Sequence, residues 1–124
     1  MSTLIIRGTM GSTVNLNSPI VKFNLTADEE THQVHGSVEI TLGNPGDKPY
    51  KGNVTGTLYA TGFKQFVKVI SLNGYIPSNN PITPIEFGFN ANMGLEADGD
   101  GVGGFNFKGE HYEELPITYK VMEL

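Results

Sequence analysis

The chain has 124 residues, with eight basic and thirteen acidic side chains, three histidines and a net charge of -5. That length serves one domain around one core, and the acidic balance excludes a phosphate backbone or an anionic membrane as the principal partner. Hydrophobic residues make up 38% and charged ones 17%, while 16 glycines and 7 prolines favour strands and tight turns over helices. With no cysteine there are no disulfides, and the start Met1 to Arg7 lacks the pattern of a signal peptide, so synthesis in the cytosol (a cytoplasmic protein) is the expectation. No apolar run approaches the roughly 20 residues of a membrane span.

Leu4 to Gly8 and Thr13 to Asn17 read as an initial strand pair or one bent strand, broken at Gly8 and Gly11. Leu4, Ile5 and Ile6 are consecutive, so an extended backbone shows apolar groups on both faces. That suits a strand covered on both sides or one that docks on a neighbour. Val21, Phe23 and Leu25 alternate with Lys22, Asn24 and Thr26, and an acidic turn follows over Ala27 to Thr31. Its partner strand carries Val34, Val38, Ile40 and Leu42 on one face and His35, Ser37, Glu39 and Thr41 on the other, a hairpin with one wet face. Gly43 to Pro49 is dense in turn formers.

Val54, Gly56, Leu58 and Ala60 then alternate with Thr55, Thr57, Tyr59 and Thr61. From Phe66 to Gly74 both faces carry apolar residues, and Tyr75 to Pro84, with three prolines, reads as a loop. The strongest signal runs from Ile85 to Leu95, where Ile85, Phe87, Phe89, Ala91, Met93 and Leu95 occupy every second position. This two-residue period belongs to a β-strand. An acidic glycine loop, Glu96 to Gly104, turns the chain into a second arm with Phe105 and Phe107. Glu110 to Glu114 reads as a polar turn before a last strand with Leu115, Ile117, Tyr119 and Val121 facing inward. Pro116 would break a ladder in mid-sheet, which places that strand at an edge or at its own start, with Lys120 as an edge guard.

The count is eight or nine strands and no helix. The expected fold is all-β, a single antiparallel two-layer β-sandwich domain over residues 1–124, with a closed barrel as the alternative.

Glu96, Asp98 and Asp100 followed by Gly101 have the spacing of the first half of an EF-hand loop, which makes them candidate Ca²⁺ ligands. The second half departs from that pattern, because position twelve is Phe107 rather than a bidentate glutamate. His32 and His35 are three apart, on opposite faces of a strand, and His111 stands among glutamates, so the spacing argues against zinc. No serine lies in a Gly-x-Ser-x-Gly elbow and no glycine loop leads into a helix, so an enzyme is not expected. Asn24-Leu25-Thr26 and Asn53-Val54-Thr55 match the Asn-x-Thr glycosylation acceptor, a match that is fortuitous without a signal peptide. Tyr59, Tyr75 and Tyr112 are candidate platforms for a glycan ring.

Two stretches point to self-association. Leu4, Ile5 and Ile6 could be donated as a strand to another copy, and the non-core side of the central strand offers Gly88, Asn90, Asn92 and Gly94, small or amide residues that allow close approach. Gly56-Thr57-Leu58-Tyr59, Leu72-Asn73-Gly74-Tyr75, Met93-Gly94-Leu95 with its acidic hairpin loop, and Leu115-Pro116-Ile117 together resemble, in order and spacing, a family of small bacterial all-β domains of unknown function. That resemblance implies the all-β fold and carries over no activity or catalytic residue. The expected function is therefore a non-catalytic structural or interaction protein that assembles with itself, as a homo-oligomer or fibre. A Ca²⁺- or glycan-binding module at the acidic loop is the alternative, and a small hydrolase the third.

Overall fold

The computed structural model describes residues 3–12, 18–43, 48–60, 68–80, 82 and 84–124. Eight strands follow in order: β1 (Thr3–Met10), β2 (Ile20–Asp28), β3 (Gln33–Thr41), β4 (Tyr50–Ala60), β5 (Lys68–Pro77), β6 (Glu86–Leu95), β7 (Asp100–Phe107) and β8 (Glu110–Glu123). Among the described residues there is no helix. Each strand pairs antiparallel with its predecessor, and β8 returns to pair with β1, so the sheet closes into an up-and-down barrel.

This corrects the expected two-layer sandwich. Alternation fixes which side chains face the core, and a sandwich and a barrel share that requirement; what separates them is the pairing of β1 with β8, between residues as distant in sequence as Leu4 and Glu123. Close coiling of the strands is permitted by glycines at core-facing positions. A Cβ at Gly8 would collide with the carbonyl oxygen of Thr118 and the ring of Phe23, and one at Gly56 with the carbonyl oxygen of Ser71. Glycine at such points lets a strongly bent sheet close on itself.

Closure also leaves β1 hydrogen-bonded on both sides, by β2 and β8. Donating Leu4 to Ile6 to another copy therefore requires the β1–β8 seam to open. The last strand has no free edge for Lys120 to guard. Pro116 sits inside β8, where its carbonyl accepts from the Gly11 N–H. A residue's nitrogen and carbonyl point to the same side of a strand, so the missing N–H faces the end of β1, beyond the last paired residue, Met10. No β7–β8 bond is lost.

Several loops are shorter than expected. Tyr75 to Pro77 belong to β5, Asp100 to Gly104 to β7, and Glu110 to Glu114 to β8. The β7–β8 turn is reduced to Lys108 and Gly109, both at positive φ (52° and 78°). Thr13 to Asn17, Phe66 and Val67, and residues 44–47 of the expected third turn lie outside the described residues.

The interior is filled by apolar side chains from all eight strands, with no buried polar residue among those described. At one end Tyr50, Phe87 and Phe107 pack edge to face, with centroids 5.2 to 6.1 Å apart, and Lys108 Nζ lies 5.0 Å from the Tyr50 ring centre. The outward residues are mainly polar, for example Lys22, Asn24 and Thr26 on β2 and Asn90 and Asn92 on β6. This is the reverse of the apolar outer band of a transmembrane barrel. No helix among the described residues is long and apolar enough to cross a membrane.

Candidate functional site

With the interior filled, chemistry falls to the turns and the outer wall. The acidic loop forms a tight turn over Glu96 to Gly99. The Glu96 N–H donates to the Asp100 carbonyl at 2.8 Å, and Asp98 Oδ1 accepts from the Asp100 N–H at 3.1 Å. The Tyr119 hydroxyl donates to the Glu96 carbonyl, and its N–H to the Gly99 carbonyl at 2.8 Å, tying the turn to β8. Burial pushes the Tyr119 phenol above its ordinary pKa, and the nearby charges of Asp98, Glu96 and Asp100 push it the same way. Among the described residues no three histidines or carboxylates gather as a metal-holding set, Glu96, Asp98 and Asp100 included. Here Asp98 serves as a turn former.

The histidines are separate. His32, at positive φ, stacks on Tyr59 with centroids 5.0 Å apart and places Nδ1 3.0 Å from the Leu58 carbonyl. His35 faces outward between Thr26 and Thr55. His111 Nδ1 lies 2.6 Å from Asn106 Oδ1, and Nε2 3.3 Å from Glu113 Oε2.

The wall of β5, β6 and β7 brings together residues that the sequence singled out. Cross-strand register aligns Asn73, Asn90, Asn106 and His111 in one outward row. Asn106 Nδ2 donates to Asn90 Oδ1 at 2.6 Å, and in the next row Ser71 Oγ donates to Asn92 Oδ1 at 3.0 Å. Two rows in the opposite direction, Tyr75 lies directly across from Gly88. A Cβ at Gly88 would meet nothing within 4 Å, and Tyr75 is 71% exposed. Of the three candidate platform tyrosines, Tyr59 is stacked on His32 and Tyr112 on Phe105, with centroids 4.8 Å apart in the second pair. Tyr75 has no ring partner among the described residues.

The wall of β8, β1 and β2 differs. Leu4 and Ile6 are core residues, while Ile5 faces outward and is half-buried beside Met122. An open groove of about 650 Å³ runs here, with Arg7, Lys22 and Lys120 along it. Sequence reading gave Arg7 and Lys22 no site role and Lys120 only that of an edge guard, because each stands alone in its own strand. Only register sets Arg7 against Lys120, and no local signal in either strand reports it.

No curated protein matches the chain. The family model described as Domain of unknown function (DUF1842) matches residues 3–112, from the start of β1 to the third residue of β8, and the chain belongs to that family.

Proposed function

We propose that the protein is a non-catalytic interaction module that pairs with a second copy of itself through the wall of β5 and β6. What carries this reading is the juxtaposition of Tyr75 and Gly88, a projecting aromatic ring directly beside an uncovered backbone position. A two-fold axis between them would seat each Tyr75 over the partner's Gly88, so one patch serves both copies, as an isologous contact requires. Exposed tyrosine is well suited to anchor such a contact because it offers a large rigid area with a polar tip. The adjoining Asn73, Asn90 and Asn92 support the same reading, since an amide both donates and accepts and can match a copy of itself.

Mass in solution by light scattering tests the proposal. Wild type should have twice the mass of one chain, and Gly88→Arg, whose Cβ meets nothing within 4 Å while its charged side chain fills the uncovered position, should be a monomer with an unchanged circular dichroism spectrum. Tyr75→Ser should weaken the dimer in the same way. A monomeric wild type at the highest soluble concentration, or a Gly88→Arg variant that remains dimeric, removes the proposal.

A further inference from the structure

The seam between β8 and β1 is sorted along its outer face. From one end it shows Met122 opposite Ile5, then Lys120 opposite Arg7, then Thr118 opposite Thr9. Leu124 extends the apolar end, where its N–H donates to the Thr3 carbonyl at 2.9 Å. Met122 is 56% exposed and Leu124 71%, so the apolar end is open to solvent. The sequence of rows is therefore apolar, cationic, hydroxylic.

Among the described residues the cationic row has no directly paired counter-charge. Arg7 has Asn24 on one side and Lys120 on the other. Like charges directly opposite on a sheet repel. Among the described residues neither forms an ion pair, and the nearest cation along the groove, Lys22, already faces Glu39 across β2 and β3. Glu123 occupies the alternate position of β8, opposite the core residue Leu4.

We infer that this groove binds a free single-chain amphiphile with an anionic head, an alkyl carboxylate of about ten carbons such as decanoate. The head sits on Arg7 and Lys120, and the tail lies along Ile5 and Met122 toward Leu124. A guanidinium offers a carboxylate two parallel donors, and the ammonium opposite adds a third, so the ligand relieves the repulsion between them. The tail covers methyl and thioether groups that the barrel leaves in water. A second copy fits this face poorly, because a two-fold axis would set the cationic row against itself. An anionic bilayer fits poorly as well. The acidic turns Asp28 to Glu30 and Glu96 to Asp100 lie at the same end of the barrel as Met122 and would face the lipid surface.

Isothermal titration with decanoate below its micellar concentration tests this on the whole chain, with decanol and decyltrimethylammonium as matched probes. Wild type should bind decanoate more tightly than either probe. Arg7→Gln with Lys120→Gln should lower the affinity about tenfold or more. Met122→Ser should lower it with the charges intact. Gly88→Arg, on the other wall, should bind as wild type does, which separates this site from the self-pairing wall. Absence of heat from wild type, equal affinity in the Arg7/Lys120 variant, or tighter binding of the cationic probe overturns the inference. So does sedimentation with anionic vesicles in the absence of decanoate binding, which would make the partner a membrane surface.

Discussion

Two glycines on opposite walls show how differently the same residue type is used. Gly8 faces inward on β1, and any side chain there would strike β8 and the Phe23 ring. Gly88 faces outward on β6, and a Cβ there would meet nothing within 4 Å. One glycine is required by close approach of backbone to backbone, the other leaves a vacancy on the surface. The first belongs to closure of the barrel; the second is available to a partner.

Substituting the same valine at both sites gives the sharpest contrast. Gly8→Val should lose more than about 3 kcal/mol, enough to abolish folding, because backbone cannot yield as a flexible side chain can. This is read from thermal or denaturant unfolding. A second contrast uses neighbours in one strand. Ile6→Ala, in the core, should cost about 2–5 kcal/mol, whereas Ile5→Ala, on the outer wall, should cost under about 1 kcal/mol. Equal losses would mean that the two faces of β1 are buried alike.

A smaller effect concerns pH. Because the Tyr119 phenol is raised in the folded state, the unfolded chain releases its proton first as pH climbs past the ordinary value. Its contribution is fully present below that value, and stability falls as pH rises toward the folded pKa. Tyr119→Phe should flatten this alkaline fall in urea titrations from pH 9 to 11, while losing the bond to the Glu96 carbonyl at about 1 kcal/mol. An alkaline fall of equal slope in both proteins would assign it to other groups. Smallest of all, Gly88→Val should change stability by within about 0.5 kcal/mol, since a β-branched residue fits exposed extended backbone.

Much of the fold is legible in the sequence because alternation is a local property. Phe89, Ala91, Met93 and Leu95 are all buried, as their period requires, and Val21, Phe23 and Leu25 likewise. Leu4-Ile5-Ile6 is legible in a different sense: its two-faced character is real, yet the inner pair belongs to the core and only Ile5 reaches a surface groove. The prolines at 77, 81 and 84 disguise the end of β5, so Tyr75 reads as a loop residue although it is paired with Gly88. Barrel closure escapes a reading strand by strand, since it depends on which distant strands meet. Its trace is glycine at positions where an apolar residue is due, as at Gly8 and Gly56. The facing of Arg7 and Lys120 escapes for the same reason as the closure itself.

Every pairing in the sheet but one joins consecutive strands, and that exception is the seam. Consecutive hairpins close short loops and assemble quickly, whereas the seam must bring together segments separated by nearly the whole polypeptide, at a larger entropic cost. We expect the docking of β8 on β1 to limit the refolding rate. Until it happens, two unsatisfied strand margins stand open to other chains, and the hazard of clumping is confined to that interval.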